Sequence, residues 1–512
     1  MVLRTRLLTL GSVTALILVL ICWSLASPLG SSADEDFHLG SIWCSDLVTG
    51  QCTAVSTSEG TRFLVPSQIA SPACFLDEYL DSNQKSAKCV AEAQEGPRQS
   101  LTQRTNNLAG YYPPFFYQTM SFFIQEDVVS SVLTMRAFNA VLFGLMVTAA
   151  LLMSLAWIRR AFAVAVLTTL VPFGLYFIPS INPSSWVIIG IGTFWVFLLS
   201  WLTVDTIKSL RAVALLLLAG FSLFMAVTAR SDGAIFAAAT AMMAILMAWP
   251  QVRRHKRRLL VFLVPIPFLL WSFSFRLNEI GGLFGLRFST QTEQQGSAAL
   301  FSLASDLLRY AFEVPALIAG SLGANQPQFN QASVFFYGIG TIEVRMPSIV
   351  PLITTGIVFA LLFHSLRIAN RRRISALLLG VVVLFAIPLL SVSRFAFQFA
   401  YSPRYIYPLV VAFVGLAILA QPWKRLRLSG VQIAVLGIGF ATMNAVALLT
   451  TVRRYTNGQS ETWLSLFFTP EWWWDFGPSP QVVVLIGSLA GVGVAIGLAR
   501  IVYNPNLGAR VG

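Results

Sequence analysis

The stretch LLTLGSVTALILVLICWSLASPLGSSADEDFH, residues 7–38, decides the class of the fold. From Leu7 to Leu29 no residue carries a charge, and an apolar run of that length can cross a bilayer as a helix. Just past its end stands the acidic cluster Asp34-Glu35-Asp36-Phe37-His38. A cluster so placed lies where a membrane-embedded enzyme can hold carboxylates at the water interface. Arg4 and Arg6 before the run and the small residues Ser24-Leu25-Ala26 within it raise the alternative of a cleaved signal peptide. The run is long for that role and Asp34 follows it closely, so a retained signal-anchor helix is expected.

The rest of the chain repeats the pattern. Apolar runs recur at 8–29, 131–157, 161–179, 184–204, 210–229, 232–249, 257–275, 348–368, 374–392, 404–421, 429–451 and 480–500. By the ~20-residue criterion these predict about twelve transmembrane helices in one all-α polytopic domain over 1–512. Of the 512 residues, 56% are hydrophobic and 11% charged, with mean hydropathy +0.71, which excludes an ordinary water-soluble fold. The net charge of +13 does not point to nucleic acid, because the basic residues sit in short clusters between apolar runs.

Those clusters alternate. Arg4 and Arg6 precede the first span; Arg159-Arg160 follow the second; Lys208 and Arg211 the fourth; Arg253 to Arg258 the sixth; Arg367 and Arg371-Arg372-Arg373 the eighth; Lys424, Arg425 and Arg427 the tenth. Every second connection is basic, which places those connections and both termini in the cytoplasm, in a plasma-membrane protein. Three long segments then face outward: 30–130, 276–347 and 452–479. Cys44, Cys52, Cys74 and Cys89 all fall in the first, as expected of two disulfides on an exported face. Local pairing, Cys44–Cys52 and Cys74–Cys89, is the expectation among the three connectivities, with Cys22 free in the first span. In the second segment, Leu300, Leu303, Leu307, Leu308 and Phe312 fall near helical spacing between Gly296 and Leu322. That helix either lies on the outer leaflet or packs on the domain. Trp472-Trp473-Trp474 reads as an interfacial anchor, with a sugar-stacking platform as the sharper alternative.

The polar motifs converge on the outward face. Asp34, Glu35, Asp36 and His38 follow the first span, and Tyr111-Tyr112-Pro113-Pro114-Phe115-Phe116-Tyr117 precedes the second. Asn182-Pro183-Ser184 and Arg230-Ser231-Asp232-Gly233 lie in later outer turns. Arg394 and Tyr401-Ser402-Pro403-Arg404-Tyr405 lie in another. The helix middles are nearly bare of charge, whereas a transporter would hold ionisable groups near the midplane. A carboxylate at such an interface can act as general base for a hydroxyl. Arg404 can hold an anionic leaving group such as a lipid phosphate through paired hydrogen bonds.

In their order these motifs resemble the GT-C superfamily of multi-spanning glycosyltransferases, in particular protein-mannosyltransferase-like and related bacterial membrane families. Asp34-Glu35 with His38 is similar to the Asp-Glu-x-x-His signature of the first exported loop. Tyr112-Pro113-Pro114-Phe115-Phe116-Tyr117 is similar to the His-Pro-Pro-Leu-Tyr-Tyr motif, with Tyr112 in place of the histidine. Arg136 to Gly144 resembles the Arg-rich entry to the second span. Ser402-Pro403-Arg404-Tyr405-Ile406-Tyr407-Pro408 resembles Gly-Arg-Tyr-x-x-Pro. The resemblance implies a polyprenyl-phosphate sugar donor, a glycan or lipid-linked acceptor, and Asp34 as catalytic base, with Asp36 as the alternative. Glu35 and His38 would orient the base or the acceptor. Arg404, Tyr405, Tyr112, Arg230, Asp232 and Asn182 would bind substrate. The carboxylates and His38 would admit a divalent metal, but no cofactor is predicted. Two rival readings are a lipid-linked glycan flippase or transporter and a non-catalytic envelope assembly protein.

Overall fold

The computed structural model describes the chain apart from residues 1, 46–51, 59, 71–73, 76–85, 93–98, 103–106, 108–109, 111, 207, 257, 260–265, 268–269, 272–295, 324–338, 340–343, 369, 396–401, 420–427, 459–464, 468–469 and 504–512. Tyr111, Tyr401, the cluster Lys424, Arg425 and Arg427, and most of the expected span 257–275 lie outside the described residues, as does the side chain of Arg394.

The protein is an all-α polytopic membrane protein. The first span is α1, Val2–Leu25, and the acidic cluster opens a short helix α2, Glu35–Trp43. A further short helix α3, Phe115–Ser121, leads into α4, Val128–Met153, and α5, Ala156–Thr169. There follow α6, Pro183–Thr203; α7, Leu210–Ala229; α8, Asp232–Met247; and α9, Gly296–Gly323. The chain closes with α10, Ile349–Ser365; α11, Arg371–Phe395; α12, Pro403–Ala417; α13, Gly430–Asn457; and α14, Pro480–Tyr503. Among the described residues, nine helices are long and apolar enough to cross a membrane, and α8 and α12 are shorter apolar helices.

Capping residues explain where the helices start. Asp127 accepts from the Ser130 amide ahead of α4, and Asn182 from the Ser184 amide ahead of α6, where Pro183 occupies the first turn. Ser429 and Gln432 form a reciprocal capping box at the start of α13. Between helices, small residues permit close approach. A Cβ at Gly497 of α14 would lie 1.8 Å from Ser12 Oγ of α1, and one at Gly190 of α6 would lie 2.5 Å from the Ser222 carbonyl of α7. Trp23 Nε1 donates to Asn444 Oδ1 at 3.0 Å, and Asn444 Nδ2 donates to the Gly487 carbonyl at 3.0 Å, tying α1, α13 and α14 by polar contacts inside the bundle.

α5 does not run straight. Val171 leaves helical geometry ahead of Pro172, within a π turn over Leu170–Gly174. The Thr169 carbonyl accepts from the Tyr407 hydroxyl of α12 at 2.8 Å. Gly174 makes room for that phenol, because a Cβ there would stand 2.4 Å from its oxygen. Tyr407 lies one turn along α12 from Arg404, so the broken helix fixes the helix that carries the arginine.

The two ends of the bundle differ. α4, α6 and α12 finish at an end rich in arginine, and those arginines take their orphan carbonyls. Arg159 donates to Ser154 O at 3.1 Å, Arg211 to Met153 O at 3.0 Å, and Arg258 to Val204 O at 2.6 Å. Arg373 donates to Leu419 O and Ala417 O. At the other end stands a small extramembrane unit. Its antiparallel sheet has the order β1, Thr53–Thr57; β2, Gly60–Pro66; β3, Gln99–Leu101, with Thr53 opposite Leu64 and Leu64 opposite Leu101.

The disulfides are Cys44–Cys52 and Cys74–Cys89, as expected, and Cys22 is free and buried. The first joins the end of α2 to the start of β1. The tryptophan triplet is not an interfacial anchor: Trp473 and Trp474 are buried by protein. Trp474 Nε1 donates to Leu25 O at 2.8 Å, and Trp473 packs edge-on against Tyr455, which in turn packs on Phe75. The triplet therefore clamps the unit to the end of α1. The helix expected over Gly296–Leu322 is present as α9. Its C-terminal half is packed on the bundle against α10, α11 and α12, with Val314, Leu317 and Leu322 buried.

Candidate functional site

The site forms where α1 ends and α4, α6, α8 and α12 begin. Asp34 caps the start of α2 with φ 60° and ψ 20°, a left-handed conformation rare for a residue with a side chain. Its carboxylate accepts from Arg404 Nη2. Arg404 comes from the first turn of α12, where Ser402 holds the N-cap position and Pro403 opens the helix. Arg404 also donates through Nη1 to Ala33 O at 3.1 Å and through Nη2 to the Tyr405 hydroxyl at 2.7 Å. Ala33 O accepts a second bond from Asn182 Nδ2 at 2.9 Å. The loop before Asp34 is thus held from both α6 and α12.

A second guanidinium adjoins the first. Arg230, at the end of α7, donates to Ser184 Oγ at 2.9 Å and to the Asp232 carboxylate at the head of α8. Its Cζ sits 4.7 Å from the centre of the Tyr405 ring, and that of Arg404 sits 4.8 Å from the same ring. Two cations can share one aromatic face-and-edge environment because Asp34 and Asp232 balance them. Asp232 Oδ1 and Arg404 Nε are buried without a hydrogen-bond partner among the described residues. Buried polar atoms left in this state have a desolvation cost that a ligand can relieve.

Tyr112 completes this group. Its backbone is pinned by Asn107, which donates to Tyr112 O at 2.8 Å and accepts from its amide at 2.9 Å. Burial pushes its phenol up. Tyr405 and Asp34 add to the rise, and Arg230 and Arg404 oppose it. Tyr112 therefore stays a neutral hydrogen-bond donor near neutral pH. Burial likewise holds the Tyr117 phenol well above the usual range.

The acidic cluster divides. Asp34 is the member that meets Arg404. Glu35 turns inward and is 1% exposed. It accepts from Arg136 Nη2 at 3.0 Å and from the Ser32 amide at 3.2 Å. Arg136, from α4, also donates to the carbonyls of Ser24, Ser27 and Pro28, the unsatisfied end of α1. Glu35 thus fastens α1 to α4. His38 is also buried, with Nδ1 3.0 Å from the Tyr117 hydroxyl and its ring edge-on to Tyr112. Asp36 stays partly exposed on the first turn of α2. Among the described residues no three His, Cys, Asp or Glu side chains gather as a metal site.

Of the sequence-predicted site residues, the structure brings together Asp34, Arg404, Tyr405, Arg230, Asp232, Asn182 and Tyr112. It sets Glu35 and His38 behind them as supports. The roles of Arg136, Tyr117 and the Ala33 carbonyl were not legible. A backbone acceptor leaves no trace in a sequence, and the motif that begins at Arg136 does not tell that this arginine pairs with Glu35.

No curated protein and no solved structure matches the chain. The family model described as predicted membrane protein, DUF2142, matches residues 17–414 of the 512, from within α1 through most of α12, and the chain belongs to that family.

Proposed function

We propose that the protein is a membrane glycosyltransferase that moves a sugar from a polyprenyl-phosphate donor to a hydroxyl of a glycan or lipid-linked acceptor during cell-envelope assembly. The site end faces outward from the plasma membrane, and both termini are cytoplasmic. This orientation rests on the basic connections, whose arginines cap helix ends opposite the site.

The observation that carries the reading is the meeting of Asp34 with Arg404, 370 residues apart in the chain, at the membrane-border end of the bundle. Asp34 holds a backbone conformation that costs on the order of 1 kcal/mol, a kind of strain that clusters at functional sites. In the proposed reaction, Asp34 takes the proton of the acceptor hydroxyl as that oxygen bonds to the anomeric carbon. The bond from that carbon to the phosphate oxygen breaks, and the prenyl phosphate leaves held by Arg404. The proton then passes from Asp34 to water. Asp34 suits this role because its side chain is 29% exposed, against 8% for Arg404. Tyr405 and Arg230 extend the cationic side of the site, and Asp232 offers an open carboxylate oxygen to a sugar hydroxyl.

Full-length protein in proteoliposomes, supplied with radiolabelled prenyl-phosphate sugars and envelope glycolipid extract, tests the reading. Transfer that collapses on Asp34→Asn supports it. Transfer unchanged by Asp34→Asn and Asp36→Asn together would overturn it in favour of a flippase or an assembly protein.

A further inference from the structure

We infer that the Asp34–Arg404 ion pair is a latch, which donor phosphate must open before Asp34 can act, so that donor binds before acceptor. The inference rests on the proposed glycosyl transfer and adds a binding order to it.

The geometry of one nitrogen carries the argument. A guanidinium grips a phosphate with two parallel N–H bonds along one of two edges, Nη1/Nη2 or Nε/Nη2. Both edges use Nη2. In Arg404, Nη2 already gives its two hydrogens to Asp34 and to the Tyr405 hydroxyl. Nη1 serves Ala33 O, and Nε is buried with no hydrogen-bond partner among the described residues. A phosphate that takes either edge must displace a bond at Nη2, and on the Nε/Nη2 edge it also satisfies the orphan Nε. Displacing Tyr405 would leave its phenol without that bond beside two cations. Displacing Asp34 moves a 29%-exposed carboxylate to the water side, where an acceptor hydroxyl arrives.

The surrounding contacts allow that exchange without collapse. Asn182 still holds Ala33 O after Arg404 turns to the phosphate. Glu35 still anchors the next residue to Arg136. The backbone that presents Asp34 is therefore fixed from both sides, and the bond given up is the one between Asp34 and Arg404. While latched, Oδ2 of Asp34 is engaged by the guanidinium and the carboxylate is held toward α12. An acceptor that arrives first meets a carboxylate already engaged.

The latch makes Asp34 an internal competitor for Arg404, and such competition lowers apparent affinity to the intrinsic affinity multiplied by the fraction of time the site is open. Equilibrium binding of farnesyl phosphate to the full chain in phosphatidylcholine nanodiscs tests this, with farnesol as the phosphate-free control. Asp34→Asn should bind farnesyl phosphate several-fold tighter than wild type, up to about tenfold. Asp36→Asn removes the same charge two residues along but none of the described bonds to Arg404, and should change affinity less than about twofold. Arg404→Gln should weaken binding about tenfold or more. If wild type binds farnesyl phosphate through Arg404 and Asp34→Asn binds it no tighter, or Asp36→Asn tightens it equally, the latch is wrong while the donor reading stands. If neither wild type nor Asp34→Asn prefers farnesyl phosphate to farnesol, the donor reading fails and takes the latch with it.

Discussion

Glu35 and Arg136 form an ion pair at 3.0 Å with side-chain exposures of 0% and 2%, one residue along the chain from the partly exposed Asp34. Adjacent carboxylates thus serve opposite purposes. The left-handed turn at Asp34 starts α2 so that Glu35 points into the protein and Asp34 points across to α12. The first is buried by packing, and the second stays partly exposed at the end of the bundle.

Breaking the inner pair should cost stability. Arg136→Ala leaves Glu35 buried without its cation and strips the Ser24, Ser27 and Pro28 carbonyls of a donor. Removing one partner of a buried pair costs about 3–5 kcal/mol. Thermal unfolding of purified protein in detergent should fall by several degrees for Arg136→Ala, and Asp34→Asn should not fall with it. A wild-type melting curve for Arg136→Ala would show the pair to be idle.

Asp34→Asn keeps the shape of the site and removes the proposed proton acceptor. Loss of a general base lowers rate by about 10²–10⁴-fold. Arg404→Ala should instead act first on donor affinity, because a phosphate loses its charge-assisted partner, worth about 1.5–3 kcal/mol. Turnover and donor binding measured side by side should separate the two variants. Equal loss of both quantities in both variants would mean that the pair is structural.

Much of this site could be read in advance because membrane topology is written in charge. Arg4, Arg159, Lys208, Arg253 and Arg371 mark one side, so Asp34, Asn182, Arg230 and Arg404 had to share the other. The cysteine pairs were legible because Cys44, Cys52, Cys74 and Cys89 are close neighbours along one segment. What could not be read is direction within that face. Nothing in Asp34-Glu35-Asp36 tells which carboxylate turns inward, since that depends on one backbone angle and on Arg136 a hundred residues away. The tryptophan triplet misled for a related reason. An interfacial belt and a buried clamp use the same residue type, and only the contact of Trp474 with Leu25 O separates them. α9 was ambiguous because its apolar face fits a membrane surface as well as the bundle it packs against.

Helix contact by small residues gives a stability test away from the site. A methyl at Gly497 would stand 1.8 Å from Ser12 Oγ and 2.7 Å from Ser12 Cβ. Gly497→Ala should therefore destabilise the protein by about 1–3 kcal/mol through overpacking of α1 on α14. Ser12→Gly removes the obstructing atoms, and the double variant should recover part of the loss. Additive destabilisation of the two changes would argue that the helices do not meet at this point.

Orientation is the prediction with the widest reach, because the proposed donor and acceptor would have to lie on the face where Asp34 opens. Ser58 is exposed between β1 and β2 on the site end, and Lys208 is exposed ahead of α7 on the arginine-capped end. The native cysteines do not interfere: four are paired and Cys22 is buried. A membrane-impermeant maleimide added to intact cells should label Ser58→Cys and leave Lys208→Cys untouched until the membrane is permeabilised. The opposite pattern would turn the site toward the cytoplasm. Asp34 and Arg404 would then face nucleotide-linked rather than exported lipid-linked donors, and the polyprenyl-phosphate reading would lose its topological support.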